Sequence, residues 1–170
     1  MRNFISEDDI EQAILQKLEG DPFQYGILRC DPSPDKRELL PDGTGRSSKK
    51  ECVLPLILRE ALARLNPDIP GEKLEEIARD LCRDFSATDM TATNYKYYNQ
   101  IRNGIKISLR RNGKEDFDFV KLVDFDRPEN NTFTAVSQMW IQGRVYWRRP
   151  DVLIFINGLK MGITGAGLRY

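Results

Sequence analysis

The chain has 170 residues, 40% of them hydrophobic, which suits one globular domain with a core of ordinary size and argues against global disorder. No stretch approaches the roughly 20 apolar residues of a membrane span, and Met1-Arg2-Asn3-Phe4 runs into acidic residues rather than a signal peptide's apolar segment, so a soluble cytoplasmic protein with no membrane partner is expected. The formal charge is zero but uneven, with 14 Lys+Arg against 19 Asp+Glu in residues 1–100 and 12 against 7 in residues 101–170, so the C-terminal part is the one suited to face a polyanion.

The first predicted element is a helix. Ser6 can cap it, Asp9 stands at the third helical position as in a capping box, and Ile10, Ala13, Ile14 and Leu18 form one apolar stripe before Gly20-Asp21-Pro22 stops it. Residues 29–48 carry Pro32, Pro34, Pro41, Gly43 and Gly45 among charged residues, a composition that predicts a mobile, solvated loop. Ser48 with Glu51 offers a second capping box, after which Val53, Leu54, Ile57, Leu58, Ala61, Leu62 and Leu65 make a wide apolar face closed by Asn66-Pro67. A third helix is predicted over 71–85 and a fourth over 93–102, the latter ended by Gly104 in a left-handed cap.

The apolar period then changes from helical to alternating. Ile105, Ile107 and Leu109 alternate with Lys106, Ser108 and Arg110, the pattern of a strand with one buried face. Asn112-Gly113 predicts a tight hairpin turn, since both central residues of that turn need positive φ, with a returning strand over 117–125. Two more strands are predicted over 132–141 and 145–156, and the wholly apolar run Val152-Leu153-Ile154-Phe155-Ile156 predicts a central strand covered on both faces. The expected class is α+β, with N-terminal helices and a mainly antiparallel or mixed sheet.

The chain contains no histidine, so the commonest general base, the usual zinc ligand and the Ser-His-Asp triad are all excluded. Cys30, Cys52 and Cys82 are widely spaced with no Cys-x-x-Cys pair and read as ordinary reduced residues. Chemistry must therefore rest on carboxylates, lysine or bound metal. Asp151 stands where the polar end of the last long strand meets its buried interior, a place where a carboxylate can hold a divalent cation at a sheet rim. A magnesium site commonly needs two or three convergent carboxylates. With Asn157-Gly158 as a two-residue turn, Ile156 faces Leu159, Phe155 faces Lys160, and Asp151 falls opposite Thr164. A second carboxylate and a lysine are expected near 164–168, where the chain instead reads Thr164-Gly165-Ala166-Gly167-Leu168.

The run Trp147-Arg148-Arg149-Pro150-Asp151-Val152-Leu153-Ile154-Phe155-Ile156-Asn157-Gly158-Leu159 resembles the signature strand in the N-terminal domain of type I restriction enzyme R subunits, which cleave and translocate DNA. Upstream, Ser6-Glu7-Asp8-Asp9-Ile10-Glu11 is similar to the family's opening helix, 62–70 to its second helix and exit, and 124–131 with Gln138 to its sheet, so most of residues 6–159 is covered. The resemblance implies a PD-(D/E)xK restriction-endonuclease-like core with Asp151 as the metal-ligating aspartate. It also places the family's Glu-x-Lys where this chain has Gly165-Ala166-Gly167.

Further implications of the resemblance are a magnesium-dependent nuclease within an ATP-dependent subunit, double-stranded DNA as substrate, and methylation and specificity subunits as partners. Residues 1–159 are then the N-terminal part of the nuclease domain, 160–170 a glycine-rich tail that departs from the family, and the ATP-binding helicase-like domains are absent. The expectation is a piece truncated in the nuclease core and inactive alone. Its competitor is a non-catalytic module that docks onto DNA or the other subunits. Glu11 is a candidate additional carboxylate near the metal, or else a solvated helix residue. Arg148 and Arg149 beside the site, and Lys106, Arg110, Arg111 and Lys114 on the first hairpin, are candidate DNA contacts, although a basic hairpin also serves as a protected sheet edge.

Overall fold

A computed structural model describes residues 6–83, 90–111, 114–143 and 145–164. Ser6 caps α1 (Glu7–Glu19) in a reciprocal capping box with Asp9, as the spacing predicts. The buried face of that helix differs from the predicted stripe. Glu11 and Leu15 are buried, whereas Ile10 is half exposed, so the face that meets the sheet is turned by about one residue and includes a carboxylate.

After α1 come β1 (Gly26–Arg29), α2 (Pro55–Leu65), α3 (Gly71–Cys82) and α4 (Met90–Asn103). The Ser48/Glu51 pair does not cap α2. Leu54 is the cap residue and Pro55 opens the helix, because a proline's fixed φ and missing N–H cost nothing in the first turn. The Glu51 carboxylate instead accepts from the Ser47 backbone at 3.1 Å. Gly104 closes α4 at φ +79, where an added Cβ would lie 2.8 Å from the Val120 carbonyl oxygen.

The strands β2 (Ile105–Arg111) and β3 (Lys114–Val120) form an antiparallel two-stranded sheet in which Arg111 pairs with Lys114. The intervening Asn112-Gly113 and the Arg111 side chain lie outside the described residues. The return strand ends at Val120 rather than continuing to 125, because Asp124 there takes part in a side-chain-bonded turn. Its carboxylate accepts from the Asp126 and Arg127 backbones at 3.2 Å each and from Asn130 Nδ2 at 3.0 Å.

The main sheet has the order β1-β4-β7-β8, with β4 (Phe133–Ser137), β7 (Val152–Ile156) and β8 (Leu159–Thr164). β1 runs parallel to β4 and the other pairs are antiparallel, so the sheet is mixed. The two long strands predicted over 132–141 and 145–156 are each interrupted. Between them β5 (Ile141–Gln142) and β6 (Trp147–Arg148) form a separate small ladder. The all-apolar segment is central as predicted: Leu15, Ala135 and Val152 pack on one face, and Leu54, Val136, Leu153 and Phe155 on the other. A third cluster joins α2 and α3 to the β2–β3 hairpin through Leu58, Leu62, Ile77, Leu81, Leu109 and Val120. No helix among the described residues is long and apolar enough to cross a membrane.

The segment predicted to be a mobile loop is built around buried charge. The Arg46 side chain is fully buried and those of Lys49 and Asp42 nearly so. Asp42 Oδ2 accepts from Arg46 Nη2 at 2.6 Å and Lys49 Nζ at 2.7 Å, Thr44 Oγ1 donates to Oδ1, and Arg46 also reaches the carbonyl oxygens of Glu51 (3.0 Å) and Trp140 (3.1 Å). Residue types that read as solvated are here neutralised by one another, which composition alone does not reveal.

Burial alone would raise the pKa of the Asp42 carboxyl, but the hydrogen bonds from Lys49, Thr44 and Arg46 prevail and hold it well below the usual carboxylate range. A depressed folded-state pKa contributes stability that is present above the unfolded value of about 3.9 and is lost as pH falls through the folded one. Asp42→Asn should therefore lower the urea midpoint clearly at pH 6, and the gap to the parent chain should narrow as the pH is taken below 4. An equal gap at both pH values would remove Asp42 as the source of acid sensitivity.

Candidate metal and nucleic-acid site

The site lies where β4 and β7 end side by side. Ser137 pairs with Val152, and one residue beyond, the Gln138 N–H donates to the Asp151 carbonyl at 2.9 Å. Gln138 then adopts φ +57, a conformation that a residue with a Cβ takes only at some cost, and the chain turns out of the sheet. Residues 139–143 leave at this point, and residues 145–150 return through buried Pro150 to half-buried Asp151.

α1 crosses the same end of the sheet. Its inward Glu11 is one turn from Leu15, and the Glu11 Oε2 atom accepts a hydrogen bond from Gln138 Nε2. A carboxylate can only accept, so this bond fixes the orientation of the amide and commits its other atom. Gln138 Oε1 is left buried without a hydrogen-bond partner among the described residues. Glu11, Gln138 and Asp151 are thereby joined, Glu11 through a side-chain bond and Asp151 through a backbone bond.

The basic candidates separate into two groups. Arg148 is exposed on β6, whereas partly buried Arg149 lies over the Trp140 ring at 5.2 Å and donates to the Pro32 carbonyl. Lys106 and Arg110 are exposed on β2, in the other sheet, and Lys106 Nζ sits 4.2 Å over the Phe117 ring. Lys160 faces Phe155, as the turn count predicts, and therefore sits on the ladder well away from its Asp151 end.

The Asn157-Gly158 turn has positive φ at both residues, +52 and +78, as expected for a two-residue hairpin. The pairing beyond it needs correction. The ladder shifts between Ile154 and Phe155, leaving Met161 unpaired, so that Val152 and not Asp151 stands opposite Thr164. Gly165 and Gly167 lie outside the described residues.

A magnesium ion takes hard oxygen donors in octahedral geometry. The Glu11 and Asp151 carboxylates and the partnerless Gln138 amide oxygen suit it in kind. In number they fall short, since no group of three or more His, Cys, Asp or Glu side chains gathers among the described residues. Sequence reasoning raised Glu11 and Asp151 but treated Gln138 only as part of the sheet. Its role depends on a left-handed backbone and a contact across 127 positions, neither of which has a local signal.

A family model described as the type I restriction enzyme R protein N terminus matches residues 4–164. The type I restriction enzyme HindI endonuclease subunit of Haemophilus influenzae is 30% identical over 158 residues, which cover 92% of this chain and 14% of that protein. The MjaIXP protein of Methanocaldococcus jannaschii, named for a type I restriction enzyme endonuclease subunit, is 28% identical over 162 residues, or 91% of this chain and 14% of its own length. The chain thus spans about one-seventh of the length of these relatives.

Proposed function

Since this chain belongs to the family of type I restriction enzyme R protein N termini, we propose that it is the nuclease-fold region of a DNA-cleaving restriction subunit, with Asp151 as a metal-ligating residue of a PD-(D/E)xK centre. Residues 1–159 form the N-terminal part of that domain and 160–170 the segment that departs from the family. The ATP-dependent motor, double-stranded DNA and the methylation and specificity subunits belong to this proposal as properties of the larger assembly.

One observation carries the reading: Asp151 immediately precedes the apolar central strand β7, and its backbone carbonyl is bonded by Gln138, whose side chain holds Glu11. Asp151, Glu11 and the Gln138 oxygen are the groups that would hold magnesium. When bound, the ion would supply Lewis-acid stabilisation of a phosphate and an acidified water. The chain's own contribution is to fix these oxygens where α1 meets the sheet end, with Gln138 holding the Glu11 carboxylate in place.

The chain departs from the motif at two positions. Glycine at 165 and 167 provides neither the second carboxylate nor the lysine ammonium, so the chain as it stands is proposed to be inactive as a nuclease. Supercoiled plasmid incubated with magnesium and the chain should remain closed. The variant carrying Gly165→Glu with Gly167→Lys should nick it, and failure of this variant, shown to be folded, would sink the nuclease assignment. A non-catalytic module that docks onto DNA or the other subunits is the second reading for this polypeptide, favoured by those same two glycines, and it predicts no activity in either form.

A further inference from the structure

The described residues 139–143 and 145–150 form a small paired element whose two ends are clasped by the Gln138 to Asp151 backbone bond. β5 and β6 pair within it, and the Gly143 N–H donates to the Tyr146 carbonyl at 3.0 Å. Its base is held from the buried charge cluster, where Arg46 donates to the Trp140 carbonyl and the Gln142 N–H donates to the Lys49 carbonyl at 3.0 Å. On its flank Trp140 and Trp147 meet edge to face at 6.5 Å, with Arg149 over the first and Arg37 at 5.4 Å over the second. An Arg–Trp–Trp–Arg stack thus joins the hairpin to the 32–37 segment, reinforced by the bond from Arg149 to the Pro32 carbonyl.

Beyond this anchored base the described side chains of the outer part lie exposed. Val145 is 77% and Tyr146 62% exposed, and Arg148 faces solvent. Residues 130–150 hold three arginines and no acid. Val145 and Tyr146 thus present apolar surface to water, and Arg148 presents a cation there, three residues before Asp151. A polyanion with an apolar crevice between its charges complements that surface, and duplex DNA is such a partner, with phosphates for arginine and a groove for apolar side chains.

We infer that the described residues 139–143 and 145–150 are a DNA-contacting arm that lays a duplex strand against the Asp151 end of the sheet, with Arg148 on a phosphate and Val145 and Tyr146 at the groove. Arg149, next to it in sequence, is a positioning residue whose guanidinium is committed to Trp140 and Pro32. The arm rests on the reading of this domain as one that acts on DNA.

The test is fluorescence anisotropy of a labelled duplex with the full chain over a series of salt concentrations. Arg148→Ala should weaken binding about tenfold and reduce the salt slope by about one. Tyr146→Ala should weaken binding with the slope unchanged, whereas Lys106→Ala and Arg110→Ala should bind as the parent does. Because all four positions are exposed, the variants should keep the parent's melting temperature, and that is checked in parallel. If the parent binds and the Arg148 and Tyr146 variants match it, the arm is overturned while the nuclease-fold reading stands. A loss confined to Lys106 and Arg110 likewise overturns the arm and moves the interface to the β2–β3 hairpin. A parent chain that does not bind duplex even at low salt overturns the arm together with the DNA reading.

Discussion

Asp151→Asn, placed in a chain that also carries Gly165→Glu and Gly167→Lys, is expected to abolish magnesium-dependent nicking, with a loss of at least about 1000-fold. Asparagine keeps the size and one oxygen of the side chain but removes the charge that, in the proposed centre, would hold a divalent cation and offset the phosphate. Glu11→Gln in the same background should lose less, about 10- to 100-fold, the range for residues that orient or supplement a metal site. Gln138→Leu removes the amide that bonds Glu11 and the buried partnerless oxygen together, so it should match Glu11→Gln, and the two changes combined should cost little more than either. Initial nicking rates on supercoiled plasmid provide the readout. Full activity in Asp151→Asn would remove Asp151 from the centre, and independent, multiplicative losses at Glu11 and Gln138 would dissolve the proposed unit.

Gly158→Ala is expected to be the most damaging single methyl addition in the described sheet. Gly158 sits at φ +78 in the turn between β7 and β8, and its carbonyl accepts the Leu54 N–H at 2.8 Å, at the first turn of α2. A Cβ there would lie 2.6 Å from the Leu54 carbonyl oxygen and 2.7 Å from the Leu58 nitrogen, both backbone atoms that cannot move without shifting the helix. The left-handed conformation alone costs roughly 1–2 kcal/mol for a residue with a Cβ. Displacing the helix start raises the total to about 3 kcal/mol or more, a large share of the roughly 5–15 kcal/mol that holds a domain together. Thermal unfolding should show the midpoint lowered by about 10 °C. A shift of only a degree or two would mean that the turn and helix are not in this close contact.

Neighbouring Asn157 shows why this turn is more than a connector. It is fully buried, its Nδ2 donates to the Leu122 carbonyl at 2.9 Å and to Asn131 Oδ1 at 2.8 Å, and its Oδ1 accepts the Thr132 N–H at 2.8 Å. Asn-Gly is legible in a sequence as a turn because both residues tolerate positive φ. The network through Leu122, Asn131 and Thr132 is not legible, since those partners lie 25 to 35 positions away.

Local chemistry determined a good deal by itself. The Ser6–Asp9 capping box, the stop at Asn66-Pro67, the left-handed Gly104, the tight turn at Asn157-Gly158 and the central apolar run 152–156 each depend on residues within a few positions of one another, so the amino-acid order alone announces them. The run Trp147 to Leu159, with the upstream segments, carried the family resemblance that the match over residues 4–164 bears out. Four things were decided only by tertiary packing: the turn of α1 that brings Glu11 inward, the burial of Arg46, Lys49 and Asp42 in a segment of solvated composition, the parallel β1–β4 pair, and the one-residue shift in the β7–β8 ladder. Each rests on a partner remote in sequence. A charge is tolerable inside only when its counter-charge is held there too, and a strand's register answers to the layer packed against it as well as to its turn.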